Sequence, residues 1–435
     1  MKVIGKIRFL KMAGGFALRV RKGGGTAVAA ILLSLLTEGC FRDDVPSSQF
    51  VADFEMHFSF GGFGKEKDFS TPLTVLMTNT TEQFSYSLES SLGGTVSVSG
   101  IMPGQYTVTV SGSLTPEEAA SEGKNTDGEP LYLSGFISDL GLHLDKTPEI
   151  PDTELFAVSA SPVIFKELYY AGSTTPNNGT YRNDTFFSIF NNSSEPQDIG
   201  NLYIGMSEFY GGLGETGPLW PGEETGNYTH AYLKSVWKIV AGGKSFVMQP
   251  GQTVVIATMA APHNRNAAYN LNSPVDLSGA DFEAYVSDPE NSYPDFDAAN
   301  MEMAFWPDYG YLWRPSVFGQ GMVLIGASEE EFAAFERVTL PETFQDPFED
   351  EEYWKCLKVP YESIVDAVDL IQNGTATNTK RFSPVLDAGY ASVERTYAGL
   401  SVRRKAIPSV DGRVRLQDTN NSTADFEINA KPLSE

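Results

Sequence analysis

The sequence predicts an all-β protein built as two β-sandwich domains in series. Three observations carry that reading. The 41 glycines and 25 prolines are scattered among abundant Thr, Ser and Asn along the whole chain. Between them lie short alternating runs, the period of half-buried strands of about 4–8 residues closed by turn signals. Beyond residue 40 the only cysteine is Cys356, so no disulfide can staple that part of the chain. Stability must then come from sheet cores, for which 41% apolar and 12% aromatic residues are ample.

The first element is a leader, residues 1–39. Residues 1–25 hold seven bases and no acid, and "TAVAAILLSLL" (26–36) follows. That apolar run is too short to span a bilayer, which takes about 20 residues, but it suits a secretory signal. Gly39 directly before Cys40 is similar to the cleavage site of bacterial lipoproteins, although Thr37 and Glu38 depart from the usual box. The resemblance implies that Cys40 receives the lipid and becomes the new N-terminus. Asp43-Asp44, after Phe41-Arg42, resembles the acidic export signal of Bacteroidetes surface lipoproteins, or is the charged start of a tether over 40–49. The expected location is therefore the outer membrane, lipid-anchored and facing outward. Without residues 1–39 the formal charge is −31, which excludes nucleic acid as a partner.

Residues 50–144 read as the first sandwich. "FVADFEMHFSF" (50–60) and "LTVLMTN" (73–79) alternate, and "GTVSVSGIMPGQYTVTVSG" (94–112) reads as a hairpin turning at Pro103-Gly104. Val96, Val98, Tyr106, Val108 and Val110 are its expected buried positions. The phrase "GIMPGQYTVTV" resembles the last strands of transthyretin-like, carboxypeptidase-regulatory-like sandwiches, where it is a folding element. Residues 145–160, rich in proline and acid at first, read as the interdomain linker.

Residues 161–435 read as the second sandwich. "SPVIFKELYYAG" (161–172), "TFFSIFNNSSEPQDIGNLYIG" (185–205), "VMQPGQTVVIA" (247–257) and "DTNNSTADF" (418–426) resemble a lamin-tail domain of immunoglobulin type, with Ser188 where an acid is usual. The segment is longer than such domains, so long loop insertions are expected at about 206–245 and 258–318. The combination is similar to an uncharacterised family of Bacteroidetes lipoproteins and implies no activity.

Chemistry is sparse. His57, His143, His230 and His263 are far apart and lack zinc-site spacing. No nucleophile elbow or phosphate loop occurs, and Cys356 reads as a core residue. No cofactor is expected. Asp418, Asn420 and Asp425 could offer oxygen ligands to calcium, although a tight turn explains them better. The outstanding stretch is "NMEMAFWPDYGYLWRPSVFGQG" (300–321). Trp306, Tyr309, Tyr311, Trp313 and Arg314 are its candidate ligand-binding residues, because aromatic faces stack on flat ligands and arginine supplies a fork of donors. The competing expectation is that these rings fill the core beneath an insertion. The functional expectation is a non-enzymatic surface lipoprotein that binds an extracellular ligand or serves an outer-membrane transporter. A structural or adhesive pilus-type protein is the alternative, and a two-carboxylate hydrolase a more remote one.

Overall fold

The computed structural model describes residues 8–9, 49–60, 72–82, 84–91, 95–121, 131–159, 161–208, 220, 229–307, 309–345, 348–374, 379–393, 395–407 and 413–433. The fold is all-β, with three short helices among these residues, Pro116–Ser121, Glu329–Ala334 and Ser422–Asp425. Cys40 and Asp43-Asp44 lie outside the described residues.

The first unit is one curled sheet in the order Ser85–Ser91, Pro72–Asn79, Gly104–Leu114, Leu131–Leu142, Thr153–Ser159, Phe54–Phe60 and Thr95–Val98. Arg8–Phe9 pairs with Tyr86–Ser87 at its edge. Curling brings Met56 and Phe58 into one core with Val75, Met77, Val108 and Val110. The valines and Tyr106 expected to be buried are buried, but they do not form a hairpin. Thr95–Val98 pairs with Phe54–His57, while Gly104–Leu114 lies between Leu73–Asn79 and Leu131–Leu142. The Pro103-Gly104 turn therefore carries the chain across the sandwich, because both valine faces seek the same core from opposite walls. The expected linker also shortens. Thr153–Ser159 joins the sheet, parallel to Phe58–Phe60 and antiparallel to Leu131–Ser134. Its alternation, with Thr153 and Leu155 buried and Glu154 exposed, is a strand pattern that follows directly on the prolines.

The second unit is a sandwich of two seven-stranded sheets. One runs Ala299–Asn300, Phe282–Glu283, Thr253–Ala257, Phe186–Asn191, Val163–Tyr169, Ser401–Arg404, Phe426–Ala430. The other runs Glu336–Thr339, Lys355–Pro360, His230–Lys238, Leu202–Ser207, Met322–Gly326, Ile364–Val368, with Glu302–Phe305 also on His230–Lys238. Phe165, Phe187 and Ile256 from the first sheet meet Ile204, Trp237 and Leu324 from the second in the main core. The second sheet is covered on its outer face too, where Tyr203, Val323 and Leu357 pack with Phe332 and Phe335. That double covering explains why Leu202–Ser207 is buried at every position. Phe186–Asn191 of the first sheet is buried throughout because Val275 and Leu277 cover Phe186 and Leu416 covers Phe190 on its outer side.

His230–Lys238 lies inside the expected 206–245 insertion, yet it is a central strand with Leu233 and Trp237 in the cores. The neighbouring glycines had hidden it. The 258–318 segment is mainly loop, but it contributes three short strands. Cys356 is fully buried beside Trp354 and Tyr232, as expected of a core cysteine.

Candidate ligand-binding face

The aromatic stretch divides between core and surface by simple alternation. Burial alternates over residues 312–320, with 313, 315, 317 and 319 buried and the residues between them half-buried, and a turn at Val317-Phe318 closes the segment. Trp313 is 1% exposed and donates its indole N–H to Ser235 Oγ at 2.7 Å. Its ring lies 5.7 Å from Phe187 and 5.9 Å from Trp237. Trp237 in turn lies 6.3 Å from half-buried Trp306, which lies 6.5 Å from Tyr309. The rings thus step outward from the core to Tyr309, which is 46% exposed. Trp313 and Trp306 anchor this run from within. Tyr309 and Tyr311 form its rim, donating their hydroxyls to Asp288 Oδ2 and Glu290 Oε2 at 3.2 and 3.1 Å. Those bonds raise both phenol pKa values, since a phenolate would face a carboxylate.

Arg314, next in the chain, is half-buried where Trp313 is buried. Its Nη1 donates to Asn183 Oδ1 at 2.6 Å, its one hydrogen bond among the described residues. Burial, then the neighbouring charge of Arg182, lowers its pKa. Tyr293, Tyr397 and Tyr181 are also within electrostatic reach of it. The site therefore gathers four separate loops, and sequence reading had singled out only Arg314.

Two of these loops are fixed from behind, and buried Trp313 anchors the third, that of Arg314. Asp184, fully buried, accepts the hydroxyls of Tyr169, Ser173 and Ser273 on one carboxyl oxygen at 2.6–3.1 Å. Burial raises its pKa against those bonds. Tyr181 meets His263 Nδ1 at 2.8 Å, and His263 Nε2 meets the Met259 carbonyl at 3.0 Å. A carbonyl only accepts, so Nε2 carries the proton and Nδ1 accepts from the tyrosine. Burial pushes His263 down to about 4, which keeps this neutral tautomer at pH 7. Tyr397 holds a left-handed backbone, φ 56°, and donates its N–H to the Ala171 carbonyl. A bulky side chain rarely adopts that conformation. Gly172, at φ 69°, admits the close approach: a Cβ there would collide with the Tyr181 carbonyl oxygen and crowd Tyr397.

The calcium alternative meets a different arrangement. Asp418 and Asp425, with Asp366, surround the buried guanidinium of Arg404 at 2.8–3.2 Å. Asn420 instead donates to the Val385 carbonyl, and Asn421 caps the helix Ser422–Asp425. The cation that these acids hold is Arg404. Among the described residues no group of three or more His, Cys, Asp or Glu is placed to hold a metal. One guanidinium cannot neutralise three carboxylates. Burial pushes Asp366 up to about 7 and Asp425 up to about 6, against the pull of Arg404. A cleft of about 360 Å³ opens beside them, lined by Ser161, Tyr361, Glu362, Asp366, Asp418 and Asn420 among others. Two of its acids, Asp366 and Asp418, are committed to the arginine, and the third, Glu362, is exposed.

Residues 249–433 match a family described as "Protein of unknown function (DUF4876)". The chain is also similar to the crystal structure of a DUF4876 family protein from Bacteroides thetaiotaomicron VPI-5482. The two share 29% identity with a TM-score of 0.56, over 88% of this chain and 96% of that one. None of the curated proteins compared with the chain matches it. The matched region includes Tyr293, the aromatic stretch, Arg314, Tyr397 and Arg404, but not Arg182 or Asn183.

Proposed function

We propose that the chain is a non-enzymatic, lipid-anchored protein of the outer cell surface that binds an extracellular ligand at the Arg314 face. Convergence of four loops on one half-buried arginine, three of them braced by the sandwich beneath, is the observation that carries the binding reading. Loops on a rigid β-scaffold are where such sites are commonly built. The anchor reading rests on the basic leader, the short apolar run and Gly39-Cys40. In this reading the first unit is a transthyretin-like spacer and the second a lamin-tail-like sandwich that displays the site. Handing of the ligand to an outer-membrane transporter would follow naturally from that position.

The test has two parts. Cys40→Ser should abolish incorporation of a labelled fatty acid and release the protein from the membrane fraction. Profiling the detergent-solubilised full chain against glycans and peptides should yield ligands whose binding weakens in Tyr309→Ala or Arg314→Gln. A ligand bound with unchanged affinity by both variants would remove this face from consideration.

A further inference from the structure

We infer that Arg182 and Arg314 form the seat of an oxyanion-binding site, whose ligand carries a carboxylate, sulfate or phosphate on a body lying against Tyr181, Tyr293 and Tyr397. This deepens the ligand-binding reading and rests on it.

Charge balance is the first argument. The chain has 56 acids against 31 Lys and Arg, so carboxylate partners are plentiful, and a half-buried arginine with a neutral partner alone needs an explanation. The arginines with buried side chains follow the ordinary rule. Arg404 holds three carboxylates, and Arg381 holds Glu208 at 3.1 Å. Arg314 is half-buried and has only the neutral amide oxygen of Asn183. A guanidinium presents five N–H donors in a planar fork. With one bond made, most of that fork is unspent.

Position is the second argument. Asn183, which orients Arg314, is the residue next to Arg182. Arg182 is exposed, and its guanidinium forms no ion pair among the described residues. The neighbouring Asp184 does not serve as counter-ion, since its carboxyl is turned inward to Tyr169, Ser173 and Ser273. Arg182 lies within electrostatic reach of Arg314, and an anion between the two like charges relieves their repulsion. Arginine pairs bind planar oxyanions through paired N–H donors.

Rigidity is the third. Thr185 Oγ1 donates to the Arg182 carbonyl at 2.9 Å, tightening that turn. Tyr181 is tied to His263, and Tyr397 sits in its unusual left-handed backbone. The backbone around the site then has little ordering cost to meet on binding, which leaves chiefly the exposed Arg182 side chain to be ordered. The rim also has a sense of direction. Asp288 and Glu290, at Tyr309 and Tyr311, make the aromatic rim acidic, so an anionic group is favoured at Arg182 and Arg314 and disfavoured at the rim.

The experiment measures binding to the detergent-solubilised full chain by calorimetry at low and physiological salt. The probes are a galacturonic-acid trimer, a sulfated trisaccharide, inorganic phosphate alone and neutral maltotriose. The inference expects at least one charged saccharide to bind at least tenfold tighter than maltotriose, more weakly as salt rises. Arg182→Gln and Arg314→Gln should each lose tenfold or more, and Arg314→Lys should not restore the affinity, because lysine lacks the fork. Unchanged melting temperatures in these variants separate lost contact from lost fold. Preference between the carboxylated and sulfated probes identifies the group. Phosphate bound as tightly as either saccharide would overturn the role given to the tyrosines. If maltotriose binds, and Tyr309→Ala abolishes this while both Arg→Gln variants do not, the ligand-binding reading survives and the oxyanion seat is refuted. If the folded protein binds none of the charged probes, the oxyanion seat is likewise refuted.

Discussion

Replacing Arg404 with methionine tests the buried charge hub that closes the second sandwich. Arg404 donates to the carbonyls of Phe165 and Gln417 and to carboxyl oxygens of Asp366, Asp418 and Asp425, all at 2.8–3.2 Å. Methionine fills a similar volume but leaves these acceptors unmatched. Breaking a buried pair by removing one partner costs about 3–5 kcal/mol, and each orphaned buried carbonyl adds about 1–3 kcal/mol. The expected loss at pH 7.5 is therefore about 5 kcal/mol or more, comparable with the whole stability of many domains. Acid should restore part of it. In the native hub Asp366 takes its proton near 7 and Asp425 near 6. Without the guanidinium both stay protonated from pH 7.5 downward. The variant then binds protons that the native hub has released, so part of the loss should return by pH 5. Urea unfolding followed by tryptophan fluorescence is the assay. All five tryptophans, at 220, 237, 306, 313 and 354, lie in the second unit, so the signal reports that sandwich alone. A loss below about 1 kcal/mol, or an equal loss at both pH values, would refute the hub as the source of stability.

Further outcomes follow from the same structure. Trp313→Ala should destabilise by about 3–5 kcal/mol, as large-to-small core changes do, whereas Tyr309→Ala should leave the urea midpoint nearly unchanged. Equal effects would contradict the split of the aromatic stretch into core and rim. Stability against pH should show two opposed trends. Asp366 and Glu208, both pushed up to about 7 by burial, stabilise the fold below their unfolded pKa values and lose that contribution as pH rises through about 7. His263, pushed down to about 4, contributes above about 6.5 and loses its contribution as pH falls towards 4. Asp366→Asn should therefore flatten the fall on the alkaline side, and His263→Gln the fall on the acid side, both read from melting temperatures between pH 4 and 8. Gly172→Ala should lower the melting temperature, because a Cβ there strikes the Tyr181 carbonyl and the backbone has a positive φ.

What the sequence revealed about this fold, and what it hid, follows from the range of each physical signal. Alternation is local, so the buried faces of residues 94–112 could be read correctly. Which strand each pairs with depends on contacts far away in sequence, and the apparent hairpin is a crossover between walls. Composition misleads where a strand borders glycines or prolines, as His230–Lys238 and Thr153–Ser159 both do. The site divides in the same way. Arg314 stood out because it sits among unusual aromatics, and the two-residue period assigns Trp313 and Arg314 to opposite faces once an extended backbone is granted. Arg182, Tyr293 and Tyr397 carry no local mark, since their meaning lies in lying close to a residue more than a hundred positions away or in a different loop. The acids of "QDTNNSTADF" show the converse. Their oxygen-rich composition suited a metal ion, yet the cation that reaches them is Arg404, delivered by a neighbouring strand of the same sheet. In a chain with so large an excess of acids, carboxylate clusters are common and say little by themselves. The informative residues are the few cations, and where they are placed without acids. Arg404 has more acids than it can neutralise and so holds the fold together, whereas Arg314 pairs with no acid among the described residues, which is why the proposed oxyanion seat is placed there.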